Sequence, residues 1–147
     1  MRKIFIGGSL ESGERVMELA RIIEAEGEEP VPWDKPGLFP LGGYTLEQLI
    51  KISRTVDGAL FVFGEDDKVW YRNDMVYQPR DNVFIEFGIF AGQIGPERTV
   101  IAVSGNVKAA TDLRGVITCN LDRPYQARIQ LRQWLNGLAL VRNEAGV

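Results

Sequence analysis

Ala59-Leu60-Phe61-Val62-Phe63 is apolar at every position rather than at every second one, so a strand built from it must be covered on both faces. Lys3–Gly7 (KIFIG) and Thr99–Val103 (TVIAV) read the same way, and 116–119 supplies a last short run. Residues 30–33 form a further short strand, and Pro30 and Pro32 place it at a sheet edge, where a missing N–H costs nothing.

Helical patterns separate these runs. Val16, Leu19, Ala20 and Ile23 fall at i, i+3, i+4 and i+7, with Gly27 placed to stop the helix. Thr45 is placed to cap a helix carrying Leu46, Leu49 and Ile50. A third helix is expected over 81–93, and a last one carries Leu131, Trp134, Leu135 and Leu138. Fully apolar strands alternating with helices are the signature of a parallel sheet covered on two sides. Five such units in 147 residues predict an α/β, flavodoxin-like fold, with five parallel strands in the order 2-1-3-4-5 and helices on both faces. The chain reads as one domain over 1–147, either free-standing or excised from a longer protein. The Pro/Gly-rich stretch 34–43 and the charged stretch 64–79 are read as loops.

Composition removes whole classes of chemistry. There is no histidine, which excludes a Ser-His-Asp triad, a Cys-His pair and His-containing zinc sites. Acid–base and electrostatic work is left to carboxylates, Lys, Tyr or Cys119. A single cysteine forbids an internal disulfide and suits a reducing compartment, so the expected location is cytoplasmic. Cys119 itself reads as a buried small hydrophobe. A net charge of −3 argues against a nucleic-acid partner. No run reaches the roughly 20 apolar residues of a membrane span.

Sheets of this kind bind ligands beyond the C-terminal ends of their strands, where the strand order reverses. That selects 7–12, 64–67 and the helix start at Asp81, with the loop 34–43 overhanging them. Gly7-Gly8-Ser9 either lets a phosphate or ribose approach the backbone or is a plain strand-to-helix turn. It matches neither G-x-G-x-x-G nor a Walker loop. Glu65-Asp66-Asp67 could suggest magnesium, but the accompanying acidic pair and Lys of phospho-receiver domains are missing, and a solvated loop is the better reading. Leu38, Phe39 and Leu41 either form an apolar surface for a substrate or second protomer, or tuck onto the core.

The most loaded segment is Pro79-Arg80-Asp81-Asn82-Val83-Phe84-Ile85-Glu86-Phe87-Gly88. Pro79 blocks the helix backwards, and Asp81 or Asn82 can cap it. On a wheel Asn82, Glu86 and Gln93 share a thin polar stripe, opposite Val83, Phe84, Phe87, Phe90 and Ala91. Glu86 is then either the solvent face of an amphipathic helix or, because Ile85 and Ile89 leave little polar surface, one carboxylate on an almost fully buried helix near the ligand-binding end.

This string resembles the bacterial TIR-like NAD-cleaving domains that are attached to STING domains or cyclic-nucleotide-binding sensors in anti-phage defence. The resemblance covers most of the chain, including Phe5-Ile6-Gly7-Gly8-Ser9, Trp33-Asp34, Phe39-Pro40-Leu41-Gly42, Thr45-Leu46-Glu47, Asp57-Gly58-Ala59, Asp66-Asp67 and Phe90-Ala91-Gly92. It runs on through Arg98-Thr99 and Asp112-Leu113. The chain departs from the family at Phe84-Ile85 and Phe87, where an aliphatic-Phe pair and Leu are usual, and at Gly8, which is often Ser. What the resemblance implies is a TIR-like fold and hydrolysis of the nicotinamide–ribose bond of NAD, with Glu86 in the catalytic position. It also implies a substrate pocket of Gly8, Ser9, Trp33, Phe39, Tyr44, Arg80 and Asn82, no metal, and no cofactor beyond NAD as substrate. The products would be nicotinamide and ADP-ribose or a cyclised form. Assembly through TIR–TIR contacts, helped by the loop 34–43, would switch the activity on, with a fused or partner cyclic-nucleotide sensor domain upstream. Two other readings compete: a nucleoside deoxyribosyltransferase-like enzyme with a covalent glutamate, and a TIR interaction module without activity.

Overall fold

In the computed structural model, residues 1–40, 44–108 and 115–144 are described. Every residue of β3 (Gly58–Phe63) is buried, as its unbroken apolar run requires. β1 (Lys3–Gly7) and β6 (Thr99–Val103) flank it in parallel, with Phe5 opposite Ala59 and Phe61 opposite Ile101. β2 (Glu29–Pro32) and β7 (Ile117–Asn120) close the two edges, so the order in space is β2-β1-β3-β6-β7. Counting only these five strands, that is the expected 2-1-3-4-5.

Alternation divides the side chains between two cores. Ile4, Ile6, Leu60, Val62, Val100 and Ala102 face α1 (Gly13–Ala25) and α4 (Pro124–Glu144). Phe5, Ala59, Phe61, Phe63 and Ile101 face α2 (Leu46–Ser53) and α3 (Asp81–Ile94). The capping and stop signals act as read: the Gln48 N–H donates to Thr45 Oγ1 at 3.2 Å, and Gly27 takes φ +84° just past α1. At the edge, the N–H groups of Glu29 and Trp33 donate to the carbonyls of Arg2, just before β1, and Ile6 at 2.8 and 2.9 Å. By parity the ring nitrogens of Pro30 and Pro32 face outward, where no donor is needed.

The stretch read as a charged loop is a β-hairpin. β4 (Asp67–Tyr71) and β5 (Asp74–Gln78) pair antiparallel across Arg72 and Asn73, whose φ angles of +46° and +67° are those a two-residue primed turn demands. Val69-Trp70-Tyr71 and Met75-Val76-Tyr77 around Asn73 were a strand signal that the flanking charges obscured. The hairpin lies apart from the main sheet and returns the chain to α3 at Pro79.

The core beneath α3 is aromatic. Phe90 is fully buried, stacking on Phe5 at 4.5 Å and meeting Phe61 edge-on at 5.3 Å. Truncation of Phe90 to Ala is expected to cost about 3–5 kcal/mol. The check is a denaturant titration in which the midpoint falls while the slope stays unchanged.

Candidate active site

Gly7 ends β1 where a Cβ would come within 2.7 Å of the Phe61 ring, so only glycine allows this close approach. On Gly8 a Cβ would press on Val16 and Val62 at 3.2 and 3.3 Å, so the side facing outward is backbone alone. Across from this turn, buried Pro79 and extended Arg80 (φ −57°, ψ 143°) lead into α3. Arg80 is the N-cap, and no side chain caps the helix; the expected caps do not form, the Asp81 carboxylate accepting instead from the Asn82 N–H at 2.7 Å.

Glu86 lies on the second turn of α3 and is 1% exposed. The solvent face of the helix falls elsewhere, with Ile85 59% exposed, so the helix is not buried nearly all round as the wheel suggested. Packing of α2 and the preceding loop against α3 turns Glu86 inward. Its Oε1 accepts from the Tyr44 hydroxyl at 2.6 Å and from Asn82 Nδ2, one helical turn back, at 3.1 Å. Its Oε2 is buried with no hydrogen-bond partner among the described residues. Burial raises the carboxyl above the ordinary carboxylate range, and the bonds from Tyr44 and Asn82 oppose that rise without cancelling it.

Tyr44 is held against two rings, Trp33 edge-on at 6.0 Å and Phe39 at 4.6 Å. Burial and then the neighbouring carboxylate push its phenol up, so it stays a neutral donor. Gly8, Ser9, Leu10, Trp33, Tyr44, Arg80 and Asn82 line a cleft of about 200 Å³ at the C-terminal ends of β1 and β2. Six of the seven residues expected in a pocket thus meet there, and Leu10 joins them. Phe39 does not line the cleft; it and Leu38 pack half-buried onto the α2/α3 core, with Phe39 behind Tyr44, while Leu41 lies outside the described residues. Glu86 sits one side chain deeper, behind Tyr44 and Asn82, and a ligand reaches it only when one of them shifts.

Arg80 is engaged rather than free: Nε donates to Asp67 at 3.2 Å, and Nη2 to Glu11 at 2.9 Å and to Asp67 at 3.4 Å. The acidic triplet is not a solvated loop. Asp66 accepts from the Ser9 hydroxyl at 2.6 Å and the Arg80 N–H at 2.9 Å, and Glu65 accepts from the Asn106 N–H at 2.7 Å. The signals for Asp66 in the sequence were its place just after β3, in the region where such sheets bind ligands, and the Asp66-Asp67 pair within the family resemblance. Among the described residues no group of three or more Cys, Asp or Glu side chains is arranged to hold a metal ion.

Larger concavities lie elsewhere, and two of them are about 570 Å³ on the outer face of α1 and about 420 Å³ beside β7. Neither contains a buried carboxylate. Cys119 borders the second, but burial pushes its thiol up to about 11, so it is protonated and a poor nucleophile. No helix among the described residues is long and apolar enough to cross a membrane.

The sequence profile described as CAP12/Pycsar effector protein, TIR domain, matches residues 3–123. CD-NTase-associated protein 12 of Sphingobacterium faecium is 33% identical over 124 residues, covering 83% of this chain and 37% of that protein. The Pycsar effector protein PaPycTIR of Pseudomonas aeruginosa is 32% identical over 120 residues, 78% of this chain and 38% of its own. The chain therefore spans under two fifths of the length of these two relatives. Among solved structures, the SEFIR domain of interleukin-17 receptor B superposes with a TM-score of 0.56 at 12% identity, over 90% of this chain and 96% of that one, which is a likeness of fold. With the matched profile spanning β1 to the start of α4, the chain belongs to the TIR-domain family of CAP12/Pycsar effector proteins.

Proposed function

We propose that the chain hydrolyses the nicotinamide–ribose bond of NAD, with Glu86 as the catalytic carboxylate. The observation that carries this is a buried glutamate with one oxygen fixed by two donors and the other left without a partner, directly behind a cleft. A dehydrated carboxylate with an open oxygen suits a reacting centre that becomes positive. The C1′–N bond breaks, nicotinamide leaves with the bonding electrons as a neutral molecule, and the ribose takes on oxocarbenium character. Glu86 stabilises that charge and holds a ribose hydroxyl or the attacking water. Water adds to C1′ and one proton is released, giving ADP-ribose. No general acid is required, so the absence of histidine removes nothing, as in a glycosidase stripped of its acid half. In the cyclised variant an adenine nitrogen replaces the water.

A cleft of about 200 Å³ is below the roughly 300–1,000 Å³ usual for drug-sized ligands, so it holds the nicotinamide–ribose end and not the whole dinucleotide. The remainder must extend over its mouth. This supports a site completed by assembly, in which the loop 34–43 of one protomer meets the next. Substituting Asp for Phe39 tests it: turnover and the sedimentation of the assembled form are both expected to drop by about tenfold, and no change in either removes the loop from the account.

Relatives named CD-NTase-associated protein 12 and Pycsar effector protein support reading the chain as the effector part of such a system, and the proposal extends to a role in anti-phage defence with a cyclic-nucleotide sensor domain upstream. The direct assay is nicotinamide release from NAD followed by chromatography. Mass spectrometry of the protein after turnover separates hydrolysis from a deoxyribosyltransferase-like mechanism, which would leave a sugar on Glu86.

A further inference from the structure

Asp66 lies three residues beyond β3 and ties three segments together. Its Oδ1 accepts the Ser9 hydroxyl at 2.6 Å and stands 3.5 Å from the Ser12 hydroxyl, while its Oδ2 accepts the backbone N–H of Arg80 at 2.9 Å. Ser9 belongs to the turn after β1 and Arg80 immediately precedes α3, and both line the cleft. Asp67 adds to the same join by pairing with the Arg80 guanidinium at 3.2 Å. Asp66 itself is half-buried, where bonds to an ionised acceptor are stronger than neutral ones. Glu86 is held separately, by Tyr44 and Asn82.

We infer that Asp66 is a positioning residue, a clamp that fixes the spacing of Ser9 and Arg80 and so the width of the cleft. It acts through those two residues and touches no reacting atom. The inference adds to the proposed NAD hydrolysis a residue that governs substrate binding separately from bond cleavage.

Kinetics with NAD on the assembled protein test the separation. Substitution of Asp66 by Ala is expected to raise KM by about tenfold and leave kcat within about twofold, since the binding wall loosens while Glu86 stays in place. Asp66→Asn is the rescue: a rotated carboxamide gives its oxygen to the Arg80 N–H and its NH2 to Ser9 Oγ, keeping KM within about threefold of the original. A folded D66A with unchanged KM overturns the clamp, and so does a kcat that falls in step with KM in both variants. If D66A does not fold, Asp66→Ser, whose short hydroxyl cannot reach both partners, cuts the same clamp, with KM expected to rise about fivefold at nearly constant kcat; an unchanged KM again overturns it. If the unmodified protein releases no nicotinamide, the hydrolase reading has failed and the clamp is judged by NMR alone. The Arg80 amide proton, downfield while bonded to a carboxylate, is expected to move upfield in D66A or D66S. An unmoved signal overturns the clamp.

Discussion

Replacing Glu86 by glutamine is expected to abolish turnover, by about 10³-fold or more, and in the same step to make the protein more stable at neutral pH. The first effect follows from losing the negative charge that faces the developing oxocarbenium ion. The second follows from the geometry. Glutamine keeps an oxygen to accept from Tyr44 and Asn82, and it puts a neutral amide, cheaper to bury than a charge, where the unpartnered Oε2 stood. The amide NH2 is as unpartnered as Oε2 was, so the gain is the relief of the buried charge alone, about 1 kcal/mol, which at about 2–4 °C per kcal/mol for a domain of this size predicts a rise in Tm of a few degrees. Activity and stability then move in opposite directions at one residue, as expected where a site keeps a group that folding alone would discard.

The pH dependence has a definite sign. The folded protein holds the Glu86 proton more tightly than the unfolded chain does, because burial raises its pKa above 4.5. The native state therefore binds more protons in that window, and stability falls as pH rises from the unfolded value through the folded one. The Tm advantage of E86Q is expected to open across this window and level off above it. Equal Tm values for the two proteins at all pH values would contradict the burial argument.

Replacing Tyr44 by phenylalanine is expected to lower kcat/KM by about 10–30-fold near neutral pH. The ring and its contacts with Trp33 and Phe39 are kept, but the 2.6 Å bond to Oε1 is lost. That bond lowers the Glu86 pKa against the effect of burial, so without it the carboxyl rises further. Because the ionised form is the active one, the acid limb of the pH–rate profile moves to higher pH. A Y44F profile with its limb in the original place would show that Tyr44 does not tune the carboxylate.

The parallel sheet was legible in the sequence because its signals are local. Ala59–Phe63 can lie only in a strand covered on both faces, and Pro30 and Pro32 can sit only at an edge. Thr45 and Gly27 mark helix ends by chemistry confined to one turn. Features that depend on distant packing were less visible. The wheel of α3 grouped Glu86 with Asn82 and Gln93 on a thin polar stripe and left open whether that stripe met solvent or a buried site; the structure buries Glu86 and exposes Ile85, because a wheel does not know which face α2 and the loop before it will cover. Asp66 looked like one of three solvated carboxylates, since its partners Ser9 and Arg80 are 57 and 14 residues away. The hairpin was missed because the charges of 64–74 drew the reading to a loop, although Val69-Trp70-Tyr71 and Met75-Val76-Tyr77 favour strands on either side of a turn at Arg72-Asn73. At the cleft, the residues that came from family resemblance came together except Phe39, whose ring supports Tyr44 from behind.

The most direct measurement is nicotinamide release from NAD by the concentrated protein, forced to assemble, beside E86Q under the same conditions. Steady release by the first, none by the second, and no sugar left on the protein is the predicted result. Equal release by both would remove Glu86 from the mechanism. No release by the assembled protein would contradict the hydrolase reading and leave a TIR module that acts by contact alone.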